Sequence, residues 1–397
     1  MSLTEISDER EFLTEIVKKI IPVKSISPAS GGKGEKERAD LLMEMLYDLG
    51  IKDSVRYDVE DNTGAVRSNI IVKKGNNPKT LWLVAHIDTV PEGDINLWSK
   101  PPFSATVDGN KIYGRGTSDD GQAVFLSLLL LKRLREKDLK LNLGIALVAD
   151  EEVGSTYGIQ YLLEKDIFKK DDLLIVPDSG SEDGMDLEIA EKSILWAKFT
   201  VNGKQYHASM PNNAISASRD GMEFMLYLDK YLHEKYNEKD ETFNFPFSTF
   251  EPTKHEKNVD NVNTIPGKET FYFDCRVLPQ YDIDNVIDDI SREISEFERT
   301  HKTTIKMEFV QKEQAPLPTS TDSEVVQKLI AELKKRGGEP KTVGIGGGTC
   351  AAFFRRKGMN AVVWCTTMPD VAHQVDEFVV LDHILLDKDT IEGMIYN

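Results

Sequence analysis

The chain has 397 residues, 40% of them hydrophobic, which is enough length for two cores and enough apolar content to fill both. Asp and Glu number 67 against 49 Lys and Arg, and a formal charge of -18 repels phosphate backbones and anionic lipid surfaces, which excludes nucleic-acid and membrane-surface binding as first readings. Only three cysteines occur, Cys275, Cys350 and Cys365, too scattered for a disulfide framework or a Cys-rich zinc site, so His and carboxylates must hold any metal. The longest apolar run, residues 123–131, contains a Ser and is closed by Lys132 and Arg133, far short of the roughly 20 residues of a spanning helix. No charged stub and apolar core open the chain as in a secretory signal, and the expectation is a cytoplasmic protein.

In chain order, the first apolar run is 81–85, which reads as a buried strand and ends in His86-Ile87-Asp88. In an extended segment His86 and Asp88 point the same way, so the carboxylate could orient the imidazole; a strand-end His paired with an Asp is the plainer reading. Next comes the glycine-rich turn Tyr113-Gly114-Arg115-Gly116-Thr117-Ser118, then Asp119-Asp120, then a helix over 122–134. Adjacent carboxylates at a helix start serve as caps, or, with a cation nearby, one of them can bridge two metal ions. The run 145–149 delivers Asp150-Glu151-Glu152, where neighbouring side chains diverge, so that one Glu can bind metal while the other handles a proton. A helix is expected over 156–163, and the run 173–177 delivers Asp178.

From 193 to 313 the character changes to amphipathic strands (194–201, 270–277, 303–310) around helical segments 214–236 and 283–297, with Asn202-Gly203 as a tight turn after the first strand. Strand, helix and strand occur twice, as in a ferredoxin-like sandwich. After Pro316 and Pro318 helix and strand alternate again, so the first domain is expected to be discontinuous. The loop Gly344-Ile345-Gly346-Gly347-Gly348-Thr349-Cys350 lacks the Walker lysine and reads as a close-approach loop whose backbone N–H groups, Gly348 among them, and Thr349 hydroxyl meet a substrate oxyanion or carboxylate. Cys350 reads as packed and inert. The last run, 361–365, precedes the loop leading to His373. His233, His255 and His301 sit among charges and read as solvated, His383 is unassigned, and His207 lies on a turn-rich rim. Apolar runs separated by helices make an α/β sheet, whose ligands collect at the carboxyl ends of its strands.

Taken together, His86-Ile87-Asp88, the Gly114 to Asp120 segment, Glu151-Glu152, Asp178 and His373 resemble the acetylornithine deacetylase, succinyl-diaminopimelate desuccinylase and carboxypeptidase G family of co-catalytic zinc hydrolases. His207-Ala208-Ser209-Met210-Pro211, Asn263-Thr264-Ile265-Pro266-Gly267 and Asp274-Cys275-Arg276-Val277 extend the resemblance through the inserted module. It implies a zinc-exopeptidase-like three-layer α/β/α catalytic domain, residues 1–192 and 314–397, with an α+β ferredoxin-like lid or dimerisation domain over 193–313. It also implies two metals per chain: one on His86, Asp119 and Asp178, the other on Asp119, Glu152 and His373. Zinc suits these donors, and cobalt or manganese is compatible.

Glu151 would then be the general base and later the acid, Asp88 would steady His86, and His207 would donate to the oxyanion of the partner subunit's site, which implies a homodimer. Asn263 and Arg276 would hold the carboxylate or amide of a small carboxylate-bearing amide or short peptide. The expected reaction is amide hydrolysis of an N-acyl amino acid of the deacetylase or desuccinylase type. A dipeptidase or carboxypeptidase is the alternative, and a non-catalytic binding protein is the rival from another class. Gly121-Gln122 stands where many relatives have Lys-Gly, and Cys350 where an Asp is common; both departures bear on the subfamily.

Overall fold

The computed structural model describes residues 2–397, which form two compact units. One comprises residues 2–189, Thr319–Thr342 and Thr349–Asn397; the other comprises Ala190–Pro318 and Val343–Gly348.

The main sheet runs in the order Val55–Glu60, Val66–Lys74, Asn142–Val148, Thr80–His86, Leu173–Val176, Ala361–Val363, Asp186–Glu191, Lys341–Ile345. Its middle is a parallel block, with Thr80–His86 between Asn142–Val148 and Leu173–Val176, and Ala361–Val363 next. These are the four apolar runs of the sequence, and being parallel they bring His86, the 150–152 turn and Asp178 to one edge. They are apolar throughout because both faces are covered. Leu81, Leu83 and Ala85 pack with the helices Glu9–Ile20, Gly121–Arg133, Glu324–Lys335 and Leu381–Tyr396. Trp82 and Val84 face the opposite core, shared with Ile159–Leu163 and Ala351–Arg356. The result is a three-layer α/β/α arrangement. Every residue from Gly121 to Leu131 is buried, which explains why that helix lacks a polar face.

The expected helix over 156–163 is shorter, Ile159–Leu163. A Cβ on Gly158 would stand 1.8 Å from the Ala149 carbonyl oxygen, so the chain approaches the strand end there before it can coil.

On Leu381–Tyr396 the carboxyl of Asp387 is fully buried and accepts both the N–H (2.9 Å) and the hydroxyl (2.5 Å) of Thr366. Burial raises its pKa to about 7 against those hydrogen bonds. The folded chain therefore holds this proton more tightly than the unfolded chain, and its contribution to stability declines as pH rises from about 4 to about 7, by roughly 4 kcal/mol in all. Asp387→Asn should remove that slope. Thermal melts of both proteins at pH 5, 6, 7 and 8 check it, and parallel curves would refute it.

The second unit carries an antiparallel sheet in the order Thr249–His255, Lys268–Val277, Ser193–Asn202, Thr304–Glu313, with helices Ala217–Lys235 and Ile283–Thr300. In chain order this is β-α-β-β-α-β, the ferredoxin-like arrangement. Leu195, Ala197, Phe199 and Val201 alternate onto the helix side and meet Phe271, Phe273, Cys275 and Val277. The first helix starts at Ala217 rather than 214, because Pro211–Asn213 forms a 3-10 turn and Ser216 caps the helix by accepting the Arg219 N–H. Asn202-Gly203 is no hairpin. Asn202 pairs with both Lys268 and Thr304, and the Gly203 N–H donates to the Gly267 carbonyl. His301 is not freely solvated either: its ring stacks on Phe297 at 3.7 Å between centroids.

Candidate metal centre

His86 ends its strand buried, with its N–H donated to Asp120 Oδ2 at 3.0 Å. Its Nδ1 stands 3.0 Å from the backbone carbonyl of Asp88, and since a carbonyl only accepts, Nδ1 carries the proton and Nε2 keeps its lone pair in the neutral ring. Nε2 lies 2.8 Å from Asp119 Oδ1 and 3.6 Å from Asp178 Oδ1. On the other side of Asp119, Oδ2 is 3.0 Å from His373 Nε2, which is 3.1 Å from Glu152 Oε2. Two donor groups result, His86 with Asp119 and Asp178, and Asp119 with Glu152 and His373, each with ligand atoms within 4.8 Å of one another.

Carboxylates dominate the electrostatics of these groups. Burial opposes protonation of His86, yet its bonds to Asp119, Asp178 and Asp88 outweigh it and hold the imidazole pKa well above normal. Bonds to Asp119 and Glu152 raise His373 to about 10. Burial and the charge of Asp178 push Glu151 well up, and burial raises Glu152 despite His373. Carboxylates in excess drive both imidazoles toward the cationic form, the response expected of a cluster built around positive charge. Nitrogen and oxygen donors in two three-membered sets sharing one carboxylate fit two divalent cations.

Asp88 meets His86 through both its side chain and its backbone, and does more besides. Its buried carboxylate accepts the N–H of Glu151 at 3.0 Å and of Glu152 at 3.1 Å, while its carbonyl serves His86. Asp88 lies beyond the end of the strand, so strand alternation does not govern it. The carboxylate still lies 3.4 Å from His86 Nδ1. Glu151 and Glu152 diverge as expected: Glu152 reaches His373 and accepts the Val90 N–H at 3.1 Å, and Glu151 belongs to neither donor group. Asp120 caps nothing through its side chain and instead fixes the His86 backbone.

Within the second unit, the short strand Tyr206–His207 pairs with Thr264–Ile265, setting His207 Nε2 3.5 Å from Asn263 Nδ2. Both residues are exposed, and His207 Nδ1 lies 2.7 Å from the Ser209 hydroxyl. Arg276 bonds Asp274 through Nε at 2.7 Å and Nη2 at 3.2 Å, and its Nη1 donates to the Gly346 carbonyl at 3.0 Å, so it braces the glycine-rich loop that carries Gly348. Thr349, in the first unit, is buried, and its hydroxyl accepts the Ala351 N–H at 3.2 Å.

Residues 82–397 match the family described as Peptidase family M20/M25/M40. The chain belongs to this family. It is an M20 metallohydrolase, an enzyme class that acts on peptide and amide bonds. An uncharacterized metallohydrolase of Methanocaldococcus jannaschii is 41% identical over 387 residues, covering 92% of this chain and 94% of its own. Among solved structures, the aminopeptidase PepT of Bacillus cereus has the same fold, with a TM-score of 0.75, 17% identity and 98% of each chain covered. The M20 metallo-carboxypeptidase Sso-CP2 of Sulfolobus solfataricus matches with a TM-score of 0.70 at 22% identity, covering 98% of this chain and 99% of its own.

Two buried clasps of this M20 chain escape sequence reading. Arg67 donates to Glu35 through Nε at 2.7 Å, pairs with the same carboxylate through Nη2, and reaches Asp150 at 2.7 Å. This holds Asp150, at φ 68°, just before Glu151. Arg115 and Glu377 form the second clasp, 2.6 Å apart. An isolated Arg on a strand or turn gives no signal of a carboxylate 32, 83 or 262 positions away. The Gly121-Gln122 departure has a local cause: a Cβ at 121 would meet the Gly116 carbonyl oxygen at 2.2 Å, and Gln122 Nε2 donates to Thr366 at 2.9 Å.

Proposed function

We propose that this M20 enzyme hydrolyses the amide bond of a short peptide or N-acyl amino acid with a free carboxylate, with peptides as the preferred class. The observation carrying this reading is the pair of donor groups sharing Asp119, with Glu151 beside them and outside both. The preference for peptides follows from the two solved neighbours, which are named as an aminopeptidase and a carboxypeptidase. In this proposal one cation takes His86, Asp119 and Asp178, and a second takes Asp119, Glu152 and His373. Two divalent ions so held would lower the pKa of a water and polarise the scissile carbonyl. Glu151 accepts the water's proton and passes it to the leaving nitrogen. Asp88, through the two N–H groups it accepts, keeps that carboxylate beside the ligand Glu152. His207 would donate to the developing oxyanion in the partner subunit's site, and Asn263, Arg276, Gly348 and Thr349 would bind the substrate's carboxylate and amide.

The test uses metal-stripped protein with and without added Zn²⁺, Co²⁺ or Mn²⁺ against dipeptides, tripeptides, and N-acetyl and N-succinyl amino acids. Metal-dependent release of a free amino acid from peptides, faster than from the acyl compounds, is the expected result. Faster release from the acyl compounds would make the enzyme a deacylase. Full activity after metal removal would refute the mechanism.

A further inference from the structure

The Arg115–Glu377 pair ties together two residues 254 positions apart in sequence that belong to one donor group. Both side chains are buried, Glu377 1% exposed and Arg115 2%. The small sheet Phe378–Val380, Lys111–Tyr113, Thr106–Asp108 brings them together, with Phe378 opposite Tyr113. Each Glu377 oxygen then accepts twice. Oε2 takes Arg115 Nη1 at 2.6 Å and the Gly116 N–H at 3.1 Å; Oε1 takes the Ser118 N–H at 2.9 Å and the Asp119 N–H at 3.1 Å. Through Nη2, Arg115 donates to the backbone carbonyl of His373 at 3.2 Å.

His373 needs such a tether. It lies at φ 62° in a loop that also holds Asp370 and Asp376 at positive φ, and its side chain is half exposed, so little packing fixes it. His86, by contrast, ends a fully buried strand.

We propose that Arg115 and Glu377 are positioning residues that set the donor group Asp119, Glu152 and His373, and hence the affinity of the second of the two metal sites. This rests on the ligand assignment proposed above. The clasp holds the backbone of two members of that group but only one member, Asp119, of the other. Loosening it therefore weakens the two sites unequally. Glu377→Gln leaves an amide N–H facing two backbone or guanidinium donors whichever way it turns. Arg115→Lys keeps a cation beside Glu377 and removes the tether to His373.

The experiment titrates metal-free wild-type, Glu377→Gln and Arg115→Lys proteins with Zn²⁺ against a chromophoric chelator, reading stoichiometry and the affinity of each step, with circular dichroism confirming the fold. Wild type should bind two Zn²⁺. Both variants should keep one site within a few-fold of wild type and lose about 10–100-fold at the other, the range for residues that orient metal ligands. Excess Zn²⁺ should restore their kcat toward wild type with KM unchanged. Two sites of wild-type affinity in both variants, or equal weakening of both sites, would overturn the positioning role. Should Glu377→Gln fail to fold, Arg115→Lys alone decides by the same criterion. Wild type binding fewer than two Zn²⁺ would overturn the ligand assignment itself, and the positioning role with it.

Discussion

Replacing Glu151 by Gln is expected to lower kcat by about 10²–10⁴ while leaving both metals bound. The substitution keeps size and shape, and the bond to Asp88 comes from the backbone N–H of residue 151, which Gln also has. What disappears is the ability to take a proton. Burial and the charge of Asp178 push the Glu151 carboxyl well above the usual range, which suits a group that must first accept a proton and then release it to an amine. Since residue 151 lies outside both donor groups, metal content should stay at the wild-type value, and KM should change little. Steady-state kinetics with metal analysis by mass spectrometry separates this from Glu152→Gln, which removes a donor facing His373. A Glu151→Gln enzyme with wild-type kcat would remove Glu151 from the chemistry.

The parallel block and its catalytic edge were legible in the sequence because a strand buried on both faces has no choice of composition. The runs at 81–85, 145–149, 173–177 and 361–365 are apolar throughout, and each stops where the chain leaves the sheet. His86, Glu152 and Asp178 stand out for the complementary reason, since they lie just past three of those stops, where a charged or imidazole side chain has no packing role; Asp119, after a glycine-rich turn, and His373, in a loop, join them through the family resemblance. The structure gathers all five, although His86 and His373 are 287 residues apart. Boundaries were less legible where backbone contacts decide them, as at Gly158, whose approach to the Ala149 carbonyl delays the helix.

Asp88 stands beside His86 as its place two residues on suggests, with its carboxylate 3.4 Å from Nδ1, but its carbonyl contact to that nitrogen and its bonds to the N–H groups of Glu151 and Glu152 have no signal in the pattern. Arg67, Glu35, Arg115 and Glu377 were not legible at all. Each is an ordinary charged residue in sequence, and only burial with a distant partner gives it meaning. Removing one partner from such a pair leaves a buried charge unpaired.

Asp119→Asn should be more damaging than Glu151→Gln, because it acts on both metals at once. One Asp119 oxygen faces His86 and the other faces His373, so each oxygen serves a different donor group. Burial alone would raise this carboxyl's pKa, but bonds to His373 and His86 lower it far below the usual range, so it is held ionised with both oxygens available. An amide has one oxygen and a nitrogen with no free lone pair, so at most one group keeps its full set of donors. The bound metal should fall from two ions to one or none, and turnover should drop by more than the ~10²–10⁴ of the Glu151 variant, since water activation and carbonyl polarisation fail along with it. His373→Ala gives the internal comparison: it removes a donor from one group only, so one metal should remain at near wild-type affinity. Metal content after dialysis, read beside kcat for the three variants, checks the order. An Asp119→Asn protein that retains two tightly bound ions would refute the shared carboxylate, and with it the assignment of the two groups to one dinuclear centre.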